Sequence, residues 1–132
     1  MKNLLIDTNI YTHALKGDTE VVSILQKAHK IGISPITIGE LLSGFKGGSR
    51  EQKNREELEE FLDAPRVLIY PLDEITAEFY SDILNRLKEA GEPIPTNDIW
   101  IAATAFQHGL ILFSKDQHFE RIPGLSLVSS TS

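Results

Sequence analysis

The chain has 132 residues, 41% of them apolar, which is enough for one domain (1–132) to bury a core without staples. The absence of cysteine excludes disulfides and thiolate metal sites and suits a reducing cytoplasm. A net charge of −6 weakens a polyanion-binding reading without excluding it, because acids gathered around divalent cations would lose their formal charge.

Leu4-Leu5-Ile6 is a continuous apolar run of the kind that buried parallel strands show. It meets Asp7 after three residues, far short of a signal-peptide apolar region or a membrane span, so a soluble, cytoplasmic protein is expected. Val21, Val22, Leu25 and Ala28 give a helical stripe, and Ile31-Gly32-Ile33-Ser34 gives a weaker strand. Ser34-Pro35 reads as N-cap and first position of a helix that buries Ile38, Leu41, Leu42 and Phe45. Gly47-Gly48-Ser49 then breaks the chain before a charged helix over about 50–62. Val67-Leu68-Ile69-Tyr70 predicts another buried strand, and Ile75, Phe79, Ile83 and Leu87 predict a helix packed by that stripe. A further helix, capped by Thr96 or Asn97, buries Ile99, Ala102, Ala103 and Phe106. Leu110-Ile111-Leu112-Phe113 is a strand, and Leu125-Ser126-Leu127-Val128 a weak edge strand. The alternation predicts an α/β layered fold with a mainly parallel sheet of four to five strands.

Four acids stand at the ends of these elements: Asp7, Glu40, Asp98 and Asp116. Asp7 and Asp116 follow strands, at the carboxyl edge where open α/β sheets place their ligand crevice. Glu40 lies off its helix's apolar stripe, on a face shared with Thr37, Ser43 and Gly44, and Asp98 falls in a first helical turn. Taken singly, each has an ordinary reading: Asp7 and Asp98 as helix-start acids, Asp116 as a turn residue, Glu40 as a solvated helix acid. Together they outweigh it, because carboxylates that converge in a cleft repel one another unless protons or cations neutralise them.

Over nearly its whole length the chain resembles the PIN domain family, and within it the ribonuclease toxins of VapBC-type toxin–antitoxin pairs. The resemblance is carried by Leu5-Ile6-Asp7-Thr8-Asn9, by Ser34-Pro35-Ile36-Thr37-Ile38-Gly39-Glu40-Leu41, by Asn97-Asp98-Ile99-Trp100-Ile101-Ala102-Ala103 and by Phe113-Ser114-Lys115-Asp116-Gln117-His118-Phe119. It implies an α/β/α sandwich in which Asp7, Glu40, Asp98 and Asp116 form a catalytic, metal-binding quartet, with Asn9 and Ser114 beside them and Arg86 near the pocket. It also implies an RNA substrate, a homodimer, and a cognate antitoxin whose helix would lie in a groove containing Leu15, Leu42 and Phe45.

The residue types set the chemistry. Carboxylates suit Mg²⁺ or Mn²⁺, while the scatter of His13, His29, His108 and His118 argues against a zinc cage. Metal-assisted hydrolysis of a phosphodiester needs no protein nucleophile and leaves a 5′ phosphate and a 3′ hydroxyl. His118, in Asp-Gln-His-Phe, reads as structural, and Trp100 as core. Lys46, Arg50, Lys53 and Arg55 fall within ten positions and suit a single-stranded RNA backbone, or else a solvated helix face paired with Glu56, Glu57, Glu59 and Glu60. Two alternatives remain. A receiver-like phosphoacceptor domain shares the architecture, but it wants paired acids after the first strand and a Lys-Pro that this chain lacks. A non-catalytic PIN scaffold would be expected to have lost acids.

Overall fold

A computed structural model describes residues 2–128. In chain order it contains β1 (Asn3–Ile6), α1 (Thr8–Leu15), α2 (Thr19–Lys27), β2 (Lys30–Ile33), α3 (Pro35–Phe45), α4 (Glu51–Asp63), β3 (Val67–Ile69), α5 (Glu74–Ala90), α6 (Thr96–His108) and β4 (Ile111–Phe113), then a short 3₁₀ helix, Gln117–Arg121. The strands pair in the order β3-β2-β1-β4, every pair parallel. Outside β4, Leu127 makes one parallel bridge to Leu112, so the weak edge strand of the sequence reading is reduced to a single bridge.

Alternation along β1 divides the core. Leu4 and Ile6 face one layer with Ile10, Val21, Leu41 and Leu58 from α1 to α4, whereas Leu5 faces Ile83, Ile99 and Ala102 from α5 and α6. The result is a three-layer α/β/α sandwich with β1 at its centre. That burial matters most for α1, which at eight residues is too short to persist alone. Ile10 and Tyr11 are buried beneath it and anchor it, Ile10 contributing roughly 1.5–3 kcal/mol. Among the described residues no helix is long and apolar enough to cross a membrane.

Three sequence expectations change. β3 is the edge strand, so Leu68 and Ile69 are exposed rather than buried. Ile75 is also exposed: it sits in the first turn of α5, where Thr76 takes the buried place. The N-cap position of α6 falls on Pro95, not on Thr96 or Asn97, with no side-chain cap bond. Pro95 itself is extended, at φ −56° and ψ 140°, and its carbonyl already accepts the first helical N–H groups, from Asp98 and Ile99.

Candidate active site

Because β2 lies on one side of β1 and β4 on the other, a crevice opens beyond the carboxyl ends of β1 and β4. Asp7 is the first residue past β1 and caps α1, its Oδ1 accepting from the Ile10 N–H at 3.0 Å. The Ser114 hydroxyl, one residue past β4, donates to the other oxygen, Oδ2. Ser114 Oγ in turn accepts from the Asp116 N–H at 2.9 Å, and Asp116 Oδ1 accepts from the His118 N–H at 2.9 Å, which starts the 3₁₀ helix. One chain of hydrogen bonds therefore fixes the loop after β4 against the acid after β1.

The other two acids arrive from the helices. Glu40 on α3 is held by both oxygens: Thr8 of α1 donates to Oε1 at 2.5 Å and Asn97 of α6 donates to Oε2 at 3.2 Å. Asp98, in the first turn of α6, places Oδ2 3.2 Å from His118 Nδ1, and the same nitrogen lies 3.1 Å from Asp116 Oδ1. Asp7, Glu40, Asp98, Asp116 and His118, with Thr8, Asn9 and Asn97, line one cleft of about 560 Å³.

Electrostatics separate this cleft from the rest of the surface. Burial pushes the Asp7 carboxyl above the usual carboxylate range; the Ser114 and Ile10 hydrogen bonds offset part of that, while the charges of Asp98 and Asp116 add to it. Asp98 is raised in the same sense, first by burial and then by Asp116 and Glu40, against the opposing effect of His118. Asp7 is only 5% exposed, so its negative charge has little water to stabilise it.

The structure thus brings together Asp7, Glu40, Asp98 and Asp116, with Asn9 on the cleft wall and Ser114 behind Asp7. Arg86 lines a different cavity, beside Phe79, Phe106 and Ile122. Lys46 and Arg50 are exposed at the α3–α4 junction and are not among the cleft-lining residues. Among the described residues no ion pair joins Lys46, Arg50, Lys53 or Arg55 to the α4 glutamates. Sequence reasoning assigned Thr8 and Asn97 no role toward Glu40, the acid to which both donate, and read His118 as structural. The available signal for His118 was its spacing, two residues after Asp116 across one tight turn.

Donor atoms of Asp98, Asp116 and His118 all lie within 4.8 Å of one another, and the Asp7 and Glu40 carboxylates border the same space. An oxygen-rich set with unneutralised negative charge fits a hard divalent cation.

A parallel α/β/α sandwich with an acid-lined cleft at its switch point suits the binding of a divalent cation, and sequence comparison narrows the class. The PIN domain model matches residues 4–125, and the chain belongs to the PIN domain family. Among its relatives, Ribonuclease VapC4 of Mycobacterium tuberculosis is 30% identical over 131 residues, covering 98% of each chain. Ribonuclease VapC2 of Haemophilus influenzae is 34% identical over 128 residues, 95% of this chain and 96% of the relative. The 2.2 Å resolution structure of VapBC-1 from nontypeable Haemophilus influenzae superimposes with a TM-score of 0.87 at 26% identity, over 98% of this chain and 99% of that one. Neither the receiver-like nor the inactive-scaffold alternative is favoured.

Proposed function

We infer that this chain is a metal-dependent endoribonuclease and the toxin of a type II toxin–antitoxin pair. The carrying observation is that four carboxylates from four separate segments line one cleft, and that the most buried of them, Asp7, is held there although burial opposes its charge. The relatives named ribonucleases share this chain's full length, which supports RNA as the substrate and a cognate antitoxin as the partner.

In this reading Asp7, Glu40, Asp98 and Asp116 would hold Mg²⁺ or Mn²⁺, which would supply Lewis acidity and lower the pKa of water for phosphodiester hydrolysis. The chain's own residues do the rest. Ser114 and the Ile10 N–H fix the Asp7 carboxylate, so its oxygens do not reorganise when substrate enters. Thr8 and Asn97 hold Glu40 by both oxygens and aim it across the cleft from Asp98. Asn9 forms part of the wall. Lys46 and Arg50 contact RNA phosphates beyond the cleft, and Arg86 meets the substrate from the separate cavity that it lines. The protein works as one domain in the cytoplasm, as a homodimer, with an antitoxin helix seated against Leu15, Leu42 and Phe45.

The test is cleavage of single-stranded and structured RNA by the purified protein. Products with a 5′ phosphate, formed with Mg²⁺ or Mn²⁺ and abolished by chelator, are expected. Undiminished cleavage in excess chelator would overturn the metal-dependent reading.

A further inference from the structure

The chemistry of the loop after β4 goes beyond a carboxylate quartet, because His118 stands between two of its members. Nδ1 of His118 lies 3.2 Å from Asp98 Oδ2 and 3.1 Å from Asp116 Oδ1. A ring nitrogen carries at most one proton, directed along one line, so it cannot make good hydrogen bonds to both oxygens at once. When Nδ1 is protonated its hydrogen bond goes to Asp98 Oδ2, and Asp116 Oδ1, which takes the His118 backbone N–H, faces the ring nitrogen with no ring proton between them. When Nδ1 is the unprotonated position it faces both oxygens lone pair to lone pair. A cation satisfies all three atoms together. Neighbouring ligands of an octahedral ion bound at about 2.1 Å stand about 3 Å apart, which is the separation observed from Nδ1 to each oxygen. His118 and Asp116 are also anchored by the backbone bond from the His118 N–H to Asp116 Oδ1, so the nitrogen and that oxygen are delivered as one unit by the 3₁₀ turn. The three side chains are 39%, 19% and 30% exposed, open enough for an ion to enter from solvent.

We propose that His118 is a metal ligand through Nδ1, completing with Asp98 and Asp116 a nitrogen-containing site that selects Mn²⁺ over Mg²⁺. An all-oxygen site discriminates weakly between these ions, whereas an imidazole nitrogen favours first-row transition ions over Mg²⁺. The proposal rests on the metal-dependent reading above and assigns it a ligand and a preferred ion.

Electron paramagnetic resonance on the intact protein separates the two. Loss of the free Mn²⁺ signal on titration reports binding, and electron spin-echo modulation reports whether a ¹⁴N nucleus is coordinated directly to the bound ion. The expected result is bound Mn²⁺ with one direct ¹⁴N coupling that disappears in His118→Gln. Calorimetric titration should show that variant weakened for Mn²⁺ by about tenfold, the lower end for loss of a group that supports a metal site, with Mg²⁺ affinity nearly unchanged. Bound Mn²⁺ without a ¹⁴N coupling, or a coupling that persists in His118→Gln, would overturn the ligand assignment and leave the metal-dependent reading standing. Failure of the protein to bind Mn²⁺ at all would remove both. Equal losses for Mn²⁺ and Mg²⁺ in His118→Gln would overturn the selectivity.

Discussion

Asp7 and Asp73 occupy equivalent places and behave oppositely. Each follows a parallel strand and caps the next helix, Asp7 between β1 and α1 and Asp73 between β3 and α5. Asp73 Oδ1 accepts from the Ile75 and Thr76 N–H groups, the Thr76 hydroxyl and the Gln107 amide, at 3.0–3.1 Å, and these bonds, led by that from the Thr76 backbone, hold its carboxyl below the usual range. Asp7 receives one backbone N–H and one hydroxyl, is buried, and has Asp98 and Asp116 as neighbours, so its carboxyl is pushed up. The local capping geometry is shared, and what differs is whether the fold compensates the charge. A cap that serves stability is saturated with donors; an acid kept for chemistry is left short of them, which is why perturbed carboxyls cluster at functional sites.

The largest effect expected from this contrast is on activity. Asp7→Asn and Asp98→Asn should each lower metal-dependent RNA cleavage by about a hundredfold or more, since each removes a charge the cation needs. Asp73→Asn should leave cleavage within about twofold, because asparagine caps nearly as well and the residue lies outside the cleft. Single-turnover cleavage assays with circular dichroism as a folding control decide the matter. Comparable losses in Asp73→Asn and Asp7→Asn would break the distinction.

Ser114→Ala sharpens it. The hydroxyl is the only side-chain donor to Asp7 among the described residues, and it also receives the Asp116 N–H, so its loss unsettles two of the four acids. Metal affinity should fall about tenfold, with Ser114→Thr restoring most of it. Calorimetric titration measures both, and unchanged affinity in Ser114→Ala would show that the hydrogen bond has no part in holding the site.

Much of this was readable in the sequence where local pattern and chemistry coincide. Leu4-Leu5-Ile6-Asp7 declares a buried strand ending in an acid, and Ser34-Pro35 declares the helix that presents Glu40; both occur as read. What was hidden depended on tertiary order. Val67-Leu68-Ile69 has the composition of a central strand, and only the order β3-β2-β1-β4 makes it an edge with Leu68 and Ile69 exposed. Asp98 looked like a capped helix start because Thr96 and Asn97 are good caps, yet Pro95 ended the extended segment first and freed Asn97 to reach Glu40 across 57 residues of sequence. His118 read as structural because a 3₁₀ turn carries no periodic signature, and it is the turn that points the ring back at Asp98.

Stability should separate the two aspartates more gently. Asp73→Ala, which removes the cap itself, is expected to lower the melting temperature by a few degrees whether or not Mg²⁺ is present. Asp98→Asn should raise the melting temperature of the metal-free protein, because a neutral amide escapes both the burial cost and the repulsion from Asp116 and Glu40. It should also lose most of the stabilisation that Mg²⁺ gives the unmodified protein. Thermal denaturation with and without cation measures all three shifts; a lower metal-free melting temperature for Asp98→Asn would mean that Asp98 stabilises the start of α6 in the ordinary way.

The smallest effect is the pH dependence of those differences, and its sign is the most specific. An unfolded aspartate titrates near about 3.9. For Asp98 the folded value lies above this, so between the two values the native state binds more protons than the unfolded chain, and stability from this group falls as pH rises through the window. Asparagine has no such loss. The gap between metal-free Asp98→Asn and the unmodified protein should therefore be smallest below about pH 4 and widen as pH rises, reaching its full size above the raised folded value, with the variant the more stable. For Asp73 the folded value is depressed, so its charge contributes stability above the unfolded value that is lost as pH falls through the folded one. Asp73→Asn keeps the cap but not the charge, so the unmodified protein should be slightly the more stable at neutral pH, and that gap should close on acidification. Two asparagine substitutions at helix starts of one sheet thus give pH-dependent gaps of opposite sign. Chemical denaturation of the metal-free proteins from pH 3 to 7 measures both gaps, and gaps of the same sign would show that the cleft does not leave Asp98 short of compensation.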